Sequence, residues 1–353
     1  MQFRDIQGMI RLQKQTIVSI TKQLLLFLAL SFQIASADVL QIRKDAPERY
    51  VVVKGDTLWD ISGTFLKKPW RWPEIWSINP QIKDPHWIYP GDVLHLVYVN
   101  GKPSIRLERS GVVRLSPKIR TIDSNEPTQT IRYDIIKPFL KDYPVVSSAS
   151  LKDAPYIMHF SEQRLLAGNE QIVYANTVES QNDLTVNRHY RTLKDPDTQE
   201  VLGIVLSTIA KAEVSTAGAP AKLRLFANRQ EVEIGDRLFV NNQPELFTHF
   251  FPSTAPAGTD GKVISLLSDA LSASQFDSVV INLGSAQQVT PGNVFHLLGD
   301  DQRIVDPISG KKVLIPGEVA AVAMVFRVFE KVSYAVIVES TSTINIATRA
   351  VTP

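Results

Sequence analysis

Cysteine is absent from the 353 residues of this chain. Its absence excludes disulfide bonds, thiolate nucleophiles and thiolate metal ligands. Histidine is scarce as well: the six histidines stand singly, without the H-E-x-x-H or H-x-H spacing of a metal centre. The sequence also lacks a G-x-S-x-G elbow, a phosphate-binding loop and a dinucleotide fingerprint. We therefore predict no catalytic residue, no metal site and no cofactor.

Outside its N-terminal segment, the chain also lacks an excess of basic over acidic residues. An apolar run at 24–30 follows several basic residues, and Ala35-Ser36-Ala37 fits a cleavage site, so we predict a signal peptide over residues 1–37. The remainder carries 34 basic and 35 acidic residues, which makes nucleic acid a poor partner. We expect a periplasmic or otherwise secreted protein with no stable membrane span after cleavage. Retention of the segment as an anchor is the alternative.

Short signals of regular structure are densest between residues 50 and 97. The β-branched run Val51–Val53 predicts a strand. Thr57 and Asp60 have the spacing of a capping box, which predicts a helix that begins there. Pro73 suits the first turn of a second helix, and residues 93–97 predict a second strand. The predicted order is strand, helix, helix, strand.

This order and these residues resemble the LysM domain, a small glycan-binding module. The resemblance rests on Tyr50-x-Val52, on Gly55-Asp56-Thr57-Leu58-Trp59-Asp60-Ile61, on Asn79-Pro80 and on Ile88 with Pro90-Gly91. It implies a groove that binds an N-acetylglucosamine polymer, which for a secreted bacterial protein means peptidoglycan. The glycan-binding residues that the resemblance implies are Gly55, Asp56, Thr57, Leu58, Asn79, Pro80, Gln81, Ile82 and Ile88.

All five tryptophans of the chain fall between residues 59 and 87. Trp59 and Trp76 lie in predicted helices, so we expect them in the core of the module. Trp70, Trp72 and Trp87 lie in or near proline-containing loops, and each is a candidate to stack on a sugar ring.

The rest of the chain predicts mainly strands, so the expected class is α+β multidomain: a small βααβ LysM module followed by β-rich, repeated modules. We predict the module at 48–99, a mixed and mainly β segment at 104–180, and a β-rich region at 181–353 with two related modules. Two observations favour a repeat. Glycine-containing turns precede strands at residues 168, 235 and 292, and the turn at Asp195-Pro196 recurs 111 residues later at Asp306-Pro307.

One short pattern remains, the S-x-x-K of Ser309–Lys312, which occurs in penicillin-binding enzymes. Its companions S-D-N and K-T-G are absent, and Asp306-Pro307 precedes it, so we interpret it as a turn. The favoured function is a non-catalytic, peptidoglycan-binding protein of the cell envelope. In it, residues 104–353 serve as a scaffold or bind an envelope protein. The alternatives are a cell-wall hydrolase with a carboxylate-based site in the C-terminal region and an assembly factor for an envelope machine.

Overall fold

The computed structural model describes residues 40–76, 88–108, 136, 143–161, 166–179, 183–241, 250–268 and 270–353. Residues 41–353 form one unit. The predicted signal peptide lies outside the described residues. No helix in the described ranges is both long and apolar enough to cross a bilayer.

The first module contains the predicted strand, two helices and second strand. Strand β1 is Arg49–Val51, helix α1 is Leu58–Phe65, a 3₁₀ turn covers Pro69–Arg71, helix α2 is Trp72–Ile75 and strand β2 is Val93–Val99. The predicted capping box is confirmed. Thr57 Oγ1 accepts the N–H of Asp60, and a carboxylate oxygen of Asp60 accepts the N–H of Thr57.

A third strand joins this module beyond its predicted end. Asn100 and Gly101 both have positive φ, at 50° and 76°, which is the backbone of a tight hairpin turn. The turn pairs β2 with strand β3, Lys102–Glu108, in a three-stranded antiparallel sheet. The predicted boundary between residues 99 and 104 therefore falls inside a hairpin, with Ser104 and Ile105 buried in β3.

Residues 145–240 form a closed β-barrel. Its strands pair in the order β10-β7-β8-β9-β6-β5. The ring closes because Ile157 N donates to Asp236 O, and Gly235 N donates to Ile157 O, at 2.9 and 2.8 Å. Strand β4, Val145–Val146, pairs with β8 from outside the ring, and helix α3 is Ser148–Asp153. The ring strands are β5 Ile157–Phe160, β6 Ile172–Ala175, β7 Leu184–Lys194, β8 Val201–Thr216, β9 Ala221–Phe226 and β10 Arg237–Val240.

Residues 253–351 form a second closed barrel. Strand β19 pairs with both β12 and β14, which closes the order β14-β17-β18-β13-β12-β19. The ring strands are β12 Asp260–Leu266, β13 Ser278–Ile281, β14 Asn293–Leu298, β17 Val319–Val328, β18 Ser333–Ser340 and β19 Arg349–Val351. Outside the ring lie β11 Ser253–Thr254, a 3₁₀ turn at Ser285–Gln287, and a hairpin of β15 Gln302–Val305 with β16 Lys312–Ile315.

The two barrels share one strand order. Counted along the chain within each ring, both read 6-3-4-5-2-1. The β-rich character predicted for this part of the chain is confirmed, whereas the predicted boundary at residue 180 falls inside the first barrel, between β6 and β7.

Three apolar clusters hold the unit together. One fills each barrel, and we call the third the junction cluster. It combines Trp59 and Trp70 of the first module, Leu193 and Val205 of the β7–β8 hairpin, and outward-facing residues of the second barrel, including Val294, Val322 and Val336. Strand β17 is consequently buried on both faces over most of its length.

Candidate glycan-binding site

The first wall of the predicted groove is a turn at Val53–Asp56. Asp56 N donates to Val53 O, and Val53 N donates back to Asp56 Oδ2 at 2.8 Å. Gly55 occupies the third position with φ +97° and nothing within 4 Å of where a Cβ would stand, a conformation that glycine adopts without strain. The turn therefore presents exposed backbone, held in a single conformation by the Asp56 carboxylate.

Tyr50 reinforces this turn from below. Its hydroxyl donates to the same Asp56 oxygen at 3.0 Å, and its ring meets Phe65 of α1 edge-on. Burial of the phenol, followed by the hydrogen bond to Asp56, raises the pKa of Tyr50 to about 12. The hydroxyl thus remains a proton donor throughout the physiological range.

Thr57 and Leu58 are predicted site residues whose side chains point inward. Thr57 is buried, with its hydroxyl engaged by Asp60 in the capping box, and Leu58 is buried on α1. Only their backbone can contribute to a ligand contact at this wall.

The second wall is only partly within the described residues. Asn79, Pro80, Gln81 and Ile82 lie outside them, as does Trp87. Ile88 is fully buried. The chain after Ile88 makes a second turn of the same kind, in which Tyr89 N donates to Asp92 Oδ2 and Gly91 has φ +98°. Val52 bonds to both Gly91 and Asp92 through its backbone, so this turn lies directly beside the end of β1.

The structure corrects the stacking role predicted for Trp70 and Trp72. Only 5% of Trp70 and 2% of Trp72 are exposed. Trp70 stacks on Trp59 with centroids 6.3 Å apart, and its ring contacts His296 of β14. Trp72 packs against Phe251, 5.8 Å away. Both rings are covered by the C-terminal part of the chain, so neither offers a face to a sugar.

Trp59 and Trp76 are buried, as predicted from their helical positions. Trp59 has an additional polar contact that its position in the sequence did not indicate. Its Nε1–H donates to Glu339 Oε1 of β18 at 2.9 Å. The tryptophan-rich segment therefore fixes the first module on the outside of the second barrel.

The electrostatics of this region come from hydrogen-bonded carboxylates. Among the described residues, no group of three histidine, aspartate or glutamate side chains could hold a metal ion. His296 is half-buried beneath Trp70, and burial, assisted by the charge of Lys68, lowers its pKa. The Gly55 turn therefore offers backbone hydrogen-bonding groups that carboxylates hold in place.

Two residues that position the groove had no predicted role in it: Tyr50, which belongs to the LysM pattern in the sequence, and Asp92. Asp92 repeats the Gly-Asp step of Gly55-Asp56 and could have been found by that spacing. The bond from Tyr50 to Asp56 spans six residues and depends on the fold of the module.

The LysM domain family matches residues 50–96 of the chain. A relative, the uncharacterized protein YqbP of Bacillus subtilis (strain 168), is 41% identical over 63 residues. The aligned part covers 15% of this chain and 29% of the relative. The chain therefore spans less than a third of the length of the relative that it matches.

Proposed function

Since residues 50–96 are a LysM domain, a module that indicates binding of peptidoglycan or related N-acetylglucosamine glycans, we propose that this is a secreted, non-catalytic protein that binds the cell wall. The observation that carries the proposal is the Gly55 turn. It lies exposed within the matched residues, and Asp56 and Tyr50 hold its backbone in place. Preorganised backbone groups bind with little loss of entropy.

In the proposed mechanism, backbone groups of Gly55, Asp56, Thr57 and Leu58 bind acetamido groups from one side. The segment from Asn79 to Ile82 binds them from the other, with Ile88 supporting the wall from within. Of the three tryptophans considered for stacking, Trp87 keeps that role. Binding by one such groove is weak, and many sites along a wall polymer raise the overall retention.

The two barrels are proposed as repeats of one scaffold module. Their common strand order supports this, as does a paired contact at the same place in each ring: Ala167 and Val232 exchange two backbone hydrogen bonds, as do Ala273 and Ile344. The barrels hold the LysM domain in a fixed orientation through the junction cluster. A scaffold of this kind suits the attachment of an envelope protein partner to the wall.

Sedimentation with insoluble peptidoglycan tests the proposal. We expect residues 38–353 to pellet with the wall, and D56A to lose at least about tenfold in affinity because the carboxylate that fixes the turn is gone. The matched control is D277A. Asp277 makes the same turn bond, accepting from Ser274 N at 2.8 Å, but lies in the second barrel.

Retention of wall binding by D56A, or equal loss in D277A, would place the glycan contact elsewhere. A gel containing peptidoglycan tests the hydrolase alternative in parallel. Clearing of the gel by the purified protein would overturn the non-catalytic assignment, and carboxylate substitutions would then locate the active site.

A further inference from the structure

The hairpin that joins the third and fourth strands of the first barrel docks on the second barrel. We call its turn, residues 195–200, the first tip. Behind the tip, Leu193 and Val205 are both 1% exposed and belong to the junction cluster together with Ile264 and Val280 of the second barrel. Three polar contacts surround the turn: Asp195 Oδ2 with Asn282 Nδ2 (2.8 Å), Asp197 with Lys262 (2.7 Å), and Glu200 with Lys331 (2.6 Å).

The second barrel carries the same hairpin between its third and fourth strands, β15–β16, and its turn at 306–311 is the second tip. The turns match bond for bond. Asp195 N donates to Glu200 O as Asp306 N donates to Lys311 O, and each aspartate carboxylate caps its own turn. The second hairpin, however, pairs only with itself among the described residues.

Both strands of this second hairpin are exposed along their whole length, and they carry several apolar side chains. An isolated two-stranded hairpin is marginally stable in water, and exposed apolar patches mark interaction surfaces. Ile308, at the tip, is 96% exposed. The exposed apolar side chains of the hairpin are Ile304, Val305, Ile308, Val313, Leu314 and Ile315.

The first barrel has a counterpart of the surface that receives the first tip. On the second barrel, Asn282 Oδ1 accepts the N–H of Lys262, and Asn282 N donates to Lys262 O. On the first barrel, Asn176 makes the same two bonds with Tyr156. Asn282 uses its Nδ2 group to hold Asp195, whereas Asn176 Nδ2 has no hydrogen bond to any described residue. We call Tyr156, Met158 and Asn176 the open face.

The second tip differs from the first tip, and the open face differs from the second-barrel surface that receives the first tip, at positions that would meet each other. Strand pairing aligns Asp197 with Ile308 and Lys262 with Tyr156. The ion pair between first tip and second barrel is thus replaced by Ile308 and Tyr156, both exposed, while the central asparagine and aspartate are kept. The guanidinium of Arg237 lies 5.2 Å from the Tyr156 ring centroid, so a cation still stands beside this face. The ion pair between Glu200 and Lys331 has no charged counterpart at the open face, because Glu200 aligns with Lys311 and Lys331 aligns with Ala219.

The apolar residues behind the second tip and on the open face are exposed, whereas the residues that they align with are buried. Register aligns Leu193 with Ile304 and Val205 with Ile315, and both isoleucines are about 40% exposed instead of buried. Ile264, which is covered in the junction cluster, aligns with Met158, because each follows the first paired residue at an identical bulge. Met158 is exposed on the open face.

We propose that the second tip of one molecule docks on the open face of a second copy, with Asp306 on Asn176 and Ile308 on Tyr156. The contact repeats between molecules the docking that already joins the two barrels within one chain. Tip and face are different surfaces, so the association is head-to-tail. It does not depend on glycan binding and can be measured in its absence.

Sedimentation velocity of residues 38–353 over a concentration series tests this. We expect the average mass to rise with concentration, and I308D to raise the dissociation constant at least about tenfold, because it removes the apolar side chain that covers Tyr156 and desolvates a carboxylate in its place. The control is L271D, since Leu271 is also 96% exposed on the second barrel but away from the tip. A wild-type chain that stays monomeric, or equal behaviour of I308D and L271D, overturns the proposal.

Two further variants separate docking from misfolding. N176D keeps the oxygen that accepts from Tyr156 but replaces the amide donor with a second anion facing Asp306. We expect I308D and N176D to be monomeric alone and to form a one-to-one complex when mixed, because each retains the surface that the other lacks.

The pair I308D with Y156K recreates the Asp197–Lys262 contact and should restore association that weakens with salt. Failure of both mixture and pair refutes head-to-tail docking.

Discussion

Trp59 is the residue that most directly connects two modules. Its indole N–H donates to Glu339 on β18 and its ring stacks on Trp70, so one side chain in the first turn of α1 contacts a residue 280 positions away. These contacts of Trp59 stabilise the packing between modules. Helix α1 itself is already stabilised locally by its capping box.

We predict that W59F lowers the free energy of unfolding by about 1.5 kcal/mol beyond its packing effect, the typical value of a hydrogen bond to a charged acceptor. A double-mutant cycle of W59F with E339A, followed by denaturant unfolding, measures this coupling. Additive effects of the two substitutions would show that the bond contributes nothing to stability.

The predicted site residues divide according to how far away their partners lie in the chain. The Thr57–Asp60 cap and the Gly55 turn were readable because the hydrogen bonds that define them join residues three positions apart. The orientations of Trp70 and Trp72 were not, since His296 and Phe251, which contact them, lie 226 and 179 positions further along the chain. A large aromatic side chain near a proline is equally compatible with stacking on a sugar ring and with packing at an interface between modules.

Among the elements, one four-residue turn recurs in every module. A side-chain oxygen at the fourth residue accepts the N–H of the first, and the third residue has φ between +94° and +98°. Glycine fills that third position because other residues are strained there. The turns of this kind are Val53–Asp56, Tyr89–Asp92, Glu233–Asp236 and Thr290–Asn293. The Gly-Asp or Gly-Asn step predicts each of them from sequence.

We predict that the stability contributed by the first tip depends on pH. Hydrogen bonds from the Thr198 backbone and then from Asn282 lower the pKa of Asp195 to about 2, from 3.8. A carboxylate with a depressed pKa stabilises the folded state above its unfolded pKa and loses that contribution as pH falls through its folded value. We therefore expect wild type to exceed D195N in stability at neutral pH, with the difference shrinking between pH 3.8 and 2.

Denaturant unfolding of both proteins at several pH values measures that difference in the free energy of unfolding. The contributions of the other carboxylates cancel in the difference because both proteins contain them. A difference that is constant down to pH 2 would mean that the charge of Asp195 is irrelevant to the docked tip.

At the level of the whole molecule, the junction cluster makes three modules into one unit. Each barrel has its own apolar filling, and the outer face of β14 and β17 is buried in the junction cluster, to which the LysM tryptophans, the β7–β8 hairpin, Ile136 and Phe250 contribute. The LysM domain is consequently a fixed part of the structure and not a module on a flexible tether.

We predict that a chain beginning at residue 143 keeps both barrels folded but loses stability and binds a hydrophobic dye, because removal of Trp59 and Trp70 uncovers Val294 and Val322. Thermal unfolding and dye fluorescence, compared with residues 38–353, measure this. Unchanged stability without dye binding would contradict the role assigned to the junction.

The sequence by itself determined the local features of this protein: the capping box, the Gly-Asp turns, the LysM pattern at residues 50–96 and the strand-rich remainder. These depend on backbone preferences and on partners a few residues apart. Only the tertiary structure decided that the sheet of the module includes β3, that two barrels close with one strand order, and that Trp70 packs on the second barrel while Trp72 packs on Phe251. Ring closure and module docking join residues that are between 51 positions (Leu298 and Arg349) and 280 positions (Trp59 and Glu339) apart. Local patterns carry no information about which of these surfaces meet.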